Sequence, residues 1–223
     1  MATGGYLHAG DLPQVIPVFP LDGVLLLPRG QLPLNIFEPR YLNMIDDVMA
    51  GDRIIGMVQT HAGTVPAERS RPRLAGIGCA GRITSYAETG DGRYLISLTG
   101  VCRFRLGAEL PVQTPYRQVR ADFVAFEQDL SSDETEAAGD REALVEALKA
   151  YLARAGMDVD WRMAGEAPLG ALVNSLSMAL PFDPAEKQAL LEAESLEARR
   201  AALVALLRIG AAGGGDDDPH SVQ

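Results

Sequence analysis

Four prolines interrupt the apolar residues between positions 14 and 37, and they restrict what this part of the chain can fold into. They are Pro17, Pro20, Pro28 and Pro33. Three short apolar runs lie among them, at 14–21, 24–27 and 32–37. Because proline has no backbone N–H, sheets accept it only at strand starts, edges and bulges. The pattern therefore predicts short, kinked strands, as in a small irregular barrel and unlike a flat open sheet.

Strand patterns continue up to residue 126, with one helix among them. The further strands are predicted at 53–60, 77–89, 93–100, 101–106 and 116–126. Gly90-Asp91-Gly92 lies between two of these strands and is typical of a hairpin turn. The helix is predicted at 40–49, because apolar residues recur there at helical spacing after Pro39 and before Gly51.

The apolar period and the charge both change near residue 127. The net charge is +1 over residues 1–126 and −11 over residues 127–223. Apolar stripes at helical spacing predict four helices, which start near Ser131 or Ser132, Pro168, Asp183 and Ser195. Asp183-Pro184-Ala185-Glu186 combines an N-cap, a first-turn proline and a third-position glutamate, while Ser195 is a further N-cap.

These patterns predict an α+β protein with a β-rich part followed by a helical bundle. The predicted division is a flexible N-terminus at 1–11, a β-rich subdomain at 12–126, a helical subdomain at 127–210 and a disordered acidic tail at 211–223.

Motifs for phosphate binding, nucleophilic catalysis and metal binding are weak or missing. Residues 76–81 match GxGxxG, but a β-like stretch follows where a dinucleotide site needs a helix, so these glycines are interpreted as positions of close packing. The sequence contains no GxxxxGK[ST], GxSxG, HExxH or CxxC. No metal site and no cofactor is predicted.

The nucleophiles and bases also lack a catalytic arrangement. Cys79 and Cys102 lie in predicted strands and are expected to be buried thiols. Lys149 and Lys187 are expected on helices beside acidic residues, and neither position suggests a desolvated amine. The histidines, His8, His61 and His220, lie in the termini and in a loop. No catalytic residue is therefore predicted.

Charge and hydropathy favour a cytoplasmic protein that binds neither nucleic acid nor membranes. The net charge is −10, and no signal peptide or apolar run of about 20 residues occurs. The two cysteines are too few for a disulfide scaffold, which favours a reducing compartment. Arg69, Arg71 and Arg73 could contact an acidic partner, although a solvated loop is the preferred interpretation.

Three stretches of the sequence resemble the N-terminal substrate-binding domain of Lon proteases. The first runs from Ile16-Pro17-Val18-Phe19-Pro20-Leu21 to Phe37-Glu38-Pro39-Arg40-Tyr41, the second from Leu74 to Phe104, and the third from Leu180 to Glu192. The likeness covers roughly residues 12–208. It implies a PUA-like β pseudo-barrel with one inserted helix, followed by a helical bundle. It also implies a domain that grips unfolded or tagged polypeptide without fixed catalytic residues. Since Lon's ATPase and peptidase modules would lie further along, a standalone domain is expected.

The leading hypothesis is a non-enzymatic polypeptide-binding module. The runs at 24–28 and 32–37 contain more apolar residues than one strand face needs, so some of them are candidates for an exposed contact patch. The candidates are Leu25, Leu26, Leu32, Leu34 and Phe37. Burial on both faces is the alternative interpretation. An adaptor or regulator of a protease, an RNA-binding protein and a small-molecule pocket in the barrel are further hypotheses. The sequence carries no signal for an oligomeric state.

Overall fold

The computed structural model describes residues 5–60, 72–131, 140–156 and 167–213 of the chain. Contacts among them define two compact units. The first unit holds the described residues up to 131 together with Asn174–Glu192. The second holds residues 140–156, 167–173 and 193–213.

The first unit is built on a six-stranded mixed sheet. Its strands are β1 (Val15–Pro20), β2 (Gln31–Ile36), β3 (Ile54–Val58), β4 (Ile77–Glu88), β5 (Tyr94–Glu109) and β6 (Arg117–Asp122). Helix α1 (Pro39–Met49) lies between β2 and β3, and a 3-10 segment (Val124–Leu130) follows β6. The other helices of the chain are α2 (Asp140–Ala155), α3 (Leu169–Ala179), α4 (Pro184–Glu192) and α5 (Leu196–Ala212).

Five strands pair in a ring, in agreement with the barrel-like curvature that the prolines predict. The order is β2-β5-β4-β3-β1-β6, and an additional β5–β6 pairing joins the two ends of the five-stranded part. Strands β1 and β3 are parallel, while the remaining pairs are antiparallel. The closing β5–β6 pair has a register shift between Leu106 and Glu109. The ring is therefore closed unevenly.

The core of the first unit lies inside this ring. Alternate residues of β1, such as Ile16 and Val18, are fully buried and point to the same side as Phe104 and Val119. Gly78 of β4 permits this packing, since a Cβ there would approach the Met57 carbonyl oxygen to 2.7 Å. The expectation that glycines of the 76–81 motif serve close packing is confirmed at this position.

Strands β4 and β5 are longer than the others, and their far halves leave the ring to form a separate arm. We define the arm as β2, residues 83–88 of β4 and residues 94–99 of β5. Within it, β5 is the middle strand, with Leu34 opposite Ile96 on one side and Tyr86 opposite Ile96 on the other. β2 is one edge of the sheet and contains Pro33, in agreement with the preference of strand prolines for edges.

Helix α4 packs against the sheet and belongs to the first unit. The helix begins as predicted, because Asp183 Oδ1 accepts the Glu186 N–H and Glu186 Oε2 accepts the Asp183 N–H, both at 2.8 Å. Lys187 Nζ then donates to the Gly23 carbonyl at 2.7 Å, and Gln188 Nε2 to the Ile77 carbonyl at 3.1 Å. These long-range bonds assign α4 to the first unit.

A buried ion pair joins three elements of the first unit. The Arg103 guanidinium of β5 donates through Nε and Nη2 to the two carboxylate oxygens of Asp129, each at 2.9 Å. Its Nη1 donates to the Leu191 carbonyl at the end of α4 at 3.1 Å. Arg103 and Asp129 expose only 2% and 8% of their side chains, and the guanidinium carbon lies 4.5 Å from the Phe126 ring centre.

Several predicted strands are wrong in detail. Residues 24–27 form no strand, and the strand predicted at 116–126 ends at Asp122 before the 3-10 segment. The strands predicted at 93–100 and 101–106 are one strand, β5, which passes through Gly100. A Cβ at Gly100 would lie 2.0 Å from the Leu27 carbonyl oxygen, so this glycine marks a close approach and not a break.

The described part of the N-terminal segment makes local and long-range hydrogen bonds. Residues 9–11 form a 3-10 turn, in which the Asp11 carboxylate accepts the N–H groups of Leu7 and His8. The Ala9 N–H donates to Glu127 in the 3-10 segment at 2.9 Å. Of residues 1–11, only 5–11 are described, and these contacts fix their course.

The second unit contains helices, as predicted. Helices α2 and α5 pack together through buried leucines, among them Leu144, Leu148, Leu203 and Leu207. Ser195 caps α5 as predicted, since its Oγ accepts the Ala198 N–H at 3.1 Å. Helix α5 extends to Ala212, two residues into the predicted tail, while residues 214–223 lie outside the described residues. The predicted Ser132 cap and Glu134 also lie outside them.

Candidate functional site

The five candidate contact residues separate into core and surface positions. Leu25 and Leu26 are 2% and 1% exposed, so they offer no area to a partner. For these two residues the expectation of a contact surface is wrong, and burial, the alternative interpretation, applies. The segment 24–27 brings them into the interior, and a Cβ on Gly81 would lie 2.6 Å from Leu26 Cδ2.

The other three candidates lie on the arm. Leu32 and Leu34 are partly buried on β2, while Phe37, directly after β2, is 63% exposed. The register places Leu32 opposite Leu98 and Leu34 opposite Ile96, both of which are buried on the middle strand. The arm therefore has apolar side chains that are covered at its centre and accessible at its margins.

Two exposed apolar residues that the sequence analysis did not select lie at the same end of the arm. Leu95 is 46% exposed and pairs with Asn35, two residues before Phe37. Tyr86 is 38% exposed, and its ring centre lies 5.1 Å from that of Tyr94 in an edge-to-face arrangement. We call Phe37, Tyr86 and Leu95 the tip patch. It spans both faces of the arm, because Tyr86 pairs with Ile96 and therefore lies on the face opposite to Leu95. Alternation along β4 and β5 next to the predicted hairpin could have identified Tyr86 and Leu95.

Charged groups beside the tip patch occur in opposite pairs. Arg40 Nη2 lies 2.8 Å from Glu38 Oε2, directly after Phe37. Arg93 Nε lies 3.0 Å from Asp91 Oδ2 in the hairpin. Since each pair sums to zero, neither pair gives the tip a net charge.

Two neighbouring aspartates of α1 bind Tyr94 of β5 and Tyr116, which directly precedes β6. The Tyr94 hydroxyl donates to Asp46 Oδ1 at 2.9 Å, and the Tyr116 hydroxyl donates to Asp47 Oδ2 at 2.7 Å. The hydrogen bond to Asp46 raises the pKa of Tyr94, and burial together with the bond to Asp47 raises the pKa of Tyr116 to about 12. Both phenols therefore remain protonated donors at neutral pH and attach α1 to the sheet.

Among the residues that the structure describes, the candidates for chemistry lie apart from one another. Both cysteines are buried, as predicted, and burial raises the pKa of the Cys102 thiol. The expectation that Lys187 is not desolvated is wrong: the residue is 7% exposed, and burial lowers its pKa. Its ammonium group donates to a backbone carbonyl and not to a serine. His61 and His220, like Arg69 and Arg71, lie outside the described residues.

A small cleft is the feature that bears on the small-molecule hypothesis. It lies beside the end of α1 and the start of β1, has a volume of about 190 Å³, and includes Asp47, Asp52 and Arg53 in its lining. Ligand pockets are commonly about 300–1,000 Å³, so this cleft is small for such a role. Within the described ranges, no three His, Cys, Asp or Glu side chains are grouped as a metal site would need. Among the helices described, none has both the length and the apolarity that crossing a bilayer requires.

Solved structures share this architecture. A Lon N-terminal domain protein from Xanthomonas campestris aligns with a TM-score of 0.62 and 22% identity over 86% of this chain and 97% of its own. The N-terminal domain of a Mycobacterium avium complex Lon protease aligns with a TM-score of 0.59 and 17% identity, with the same coverage. The mixed sheet with its helices is therefore a Lon N-terminal-domain fold.

Sequence comparison defines the family. Residues 15–208 match the family described as the ATP-dependent protease La (LON) substrate-binding domain, and the chain belongs to this family. Lon protease 2 of Myxococcus xanthus is 31% identical over 93% of this chain, and Lon protease 2 of Sorangium cellulosum is 26% identical over 86%. The chain spans about a quarter of the length of these two relatives, 25% and 24%.

Proposed function

We propose that this chain is a non-enzymatic module that binds exposed apolar segments of polypeptides through the arm. The observation that carries the proposal is the tip patch, where Phe37, Tyr86 and Leu95 are 63%, 38% and 46% exposed at one end of the arm. Leu32 and Leu34 of β2 lie on the same face of the arm as Tyr86, because Leu34 and Tyr86 both pair with Ile96. Membership of a family of substrate-binding domains supports the same role.

The composition of the arm favours clients that are recognised by their apolar character. The charges of the two neighbouring ion pairs cancel, so apolar contact contributes most of the binding. Complete burial of a Phe or Leu side chain contributes about 1.5–3 kcal/mol before association costs are subtracted. With two or three such side chains, we expect dissociation constants on the order of 10–100 µM for a single segment.

The test is binding of the purified chain to reduced, carboxymethylated α-lactalbumin, measured by calorimetry. The double variant F37D/L95D should bind at least tenfold more weakly, because each carboxylate would have to be desolvated at the contact. Val124→Asp is the matched control, since Val124 is 72% exposed on the 3-10 segment, outside the arm. Lack of binding by the wild-type chain at about 100 µM, or an equal loss in the control, would reject the proposal.

The proposal includes the cellular setting and the fold class. We place the module in the cytoplasm, as a partner of unfolded or tagged polypeptides in a proteolysis-related context, and we class the uneven ring of strands as PUA-like. Its support is the chain's membership of the Lon substrate-binding family and the five-membered ring of pairings. A protease recovered with the chain in co-purification, with no other clients, would favour the adaptor hypothesis over direct client binding.

A further inference from the structure

The two edges of the arm differ in whether they can accept another strand. At the β2 edge, Pro33 lacks the N–H group that an added strand would need. At the opposite edge, residues 79–82 of β4 pair with β3, and the Ile83 N–H donates to the Arg53 carbonyl at 2.9 Å. Beyond this point, within the described residues, β4 pairs only with β5. Residues 84–88 are exposed along their whole length.

The hairpin shows which main-chain groups face outward from this edge. The Thr89 N–H donates to the Arg93 carbonyl at 2.9 Å. Mutually bonded pairs recur at every second residue of an antiparallel ladder, so the next bonded pairs are Ala87 with Leu95 and Ser85 with Ser97. The N–H and C=O groups of Tyr86 and Glu88 therefore point away from β5, towards solvent.

We propose that an extended segment of a bound polypeptide adds to the arm as a further strand along residues 84–88 of β4. This inference rests on the proposed function and gives its binding mode. The main chain of the segment would exchange hydrogen bonds with Tyr86 and Glu88, and its alternate side chains would contact Tyr86 of the tip patch. Such binding is largely independent of sequence, because every non-proline residue offers the same N–H and C=O groups.

Charge favours a segment that is not acidic. Glu88 is the one charged side chain among residues 84–88, and the charges of the adjoining Asp91–Arg93 pair cancel. The edge thus carries a single negative charge, which repels an acidic segment and attracts a basic one. The occupant is therefore an unfolded, proline-free segment that is apolar at alternate positions and is not acidic.

The first experiment uses a nine-residue peptide of alternating valine and threonine with lysine at both ends. One derivative is N-methylated at every valine and the other at every threonine, so each loses the N–H groups of one edge only. For a given strand direction, contact between the valine side chains and Tyr86 fixes which edge of the peptide faces β4. We expect one derivative to bind at least tenfold more weakly than the parent peptide, while the other stays within threefold.

The second experiment locates the contact on the protein by residue-resolved hydrogen exchange. The amides of Tyr86 and Glu88 should become protected at least tenfold when the parent peptide is bound. Those of Ser85 and Ala87, already bonded to β5, should change little. In parallel, Glu88→Pro should weaken binding about five- to tenfold relative to Glu88→Ala, which keeps the N–H group.

These outcomes separate the inference from the proposed function. If the wild-type chain binds neither the peptide nor carboxymethylated α-lactalbumin, the proposed function fails. If it binds both, but the two methylated peptides bind equally and Tyr86 and Glu88 gain no protection, strand addition alone is rejected. Dimerisation of the free chain that Glu88→Pro abolishes would identify a second copy as the occupant and overturn the proposal. The peptide measurements decide the matter even if Glu88→Pro does not fold.

Discussion

Removing one partner of the Arg103–Asp129 pair should destabilise the first unit much more than removing one partner of an exposed ion pair would. Arg103 makes three hydrogen bonds to the Asp129 carboxylate, one from its backbone N–H at 3.0 Å and two from the guanidinium. Both side chains are more than nine-tenths buried. Truncation of either residue leaves the other charge buried without its counterion, which costs about 3–5 kcal/mol.

Replacing both residues should cost less than either single change. In the double variant R103M/D129L no charge remains buried. The Arg103 N–H then lacks its carboxylate acceptor, which costs about 1–3 kcal/mol. If the single changes R103M and D129L were independent, their costs would add to about 6–10 kcal/mol. We therefore expect a coupling energy of at least about 3 kcal/mol.

Urea unfolding followed by near-ultraviolet circular dichroism of tyrosine would measure these values. Five of the six tyrosines, Tyr6, Tyr41, Tyr86, Tyr94 and Tyr116, lie in the first unit. Arg105→Met, an exposed change on the same strand, is the control and should stay within about 0.5 kcal/mol of wild type. Single variants that lose less than about 1 kcal/mol, or a double variant whose loss equals the sum, would refute the reasoning.

Two further predictions concern a glycine and a tyrosine of the first unit. Gly78→Ala should destabilise the protein by about 3 kcal/mol, because the new methyl group would clash with the backbone oxygen of Met57. At Gly76 the new methyl group would meet no neighbouring atom, so Gly76→Ala should leave the stability unchanged. Denaturant titrations would measure both. A nucleotide-binding motif would need Gly76 as well, so equal effects would contradict the packing interpretation. The raised pKa of Tyr116, about 12, means that its contribution to stability is present below pH ~10 and is lost as the pH rises towards the folded-state value. The stability difference between wild type and Tyr116→Phe should shrink over that range, and a constant difference would disprove the assignment.

Local patterns were sufficient for most of the elements but not for their pairing partners. The proline-interrupted runs, the helix after Pro39 and the caps at Asp183 and Ser195 are short-range features, and the structure contains them. The return of α4 to the sheet depends on Lys187 and Gln188 meeting carbonyls more than a hundred positions away. No window of sequence contains that information.

The candidate site was predictable only in part for the same reason. The excess of apolar residues at 24–37 indicated that this region has apolar side chains on more than one face. It could not show which of these side chains point into the core and which point to solvent. Leu25 and Leu26 are inside because the segment carrying them passes over Gly81 and Gly100, both of which leave room for it. Phe37 is outside because β2 ends one residue earlier. Tyr86 and Leu95 become part of the site only through the long β4–β5 hairpin.

The closing of the ring determines where an added strand could bind. Pairing of β6 with both β1 and β5 leaves the ring strands without free edges along their paired lengths. Among the described residues, the remaining edges belong to the arm, and Pro33 interrupts one of them. The stretch at 84–88 is therefore both the accessible edge and a neighbour of the tip patch. Most of the main chain of a folded protein is already paired and most of its apolar side chains are buried, so it offers little of either feature to this edge. An unfolded segment offers both unpaired main-chain groups and exposed apolar side chains. The edge can therefore select unfolded over folded polypeptide without a sequence motif.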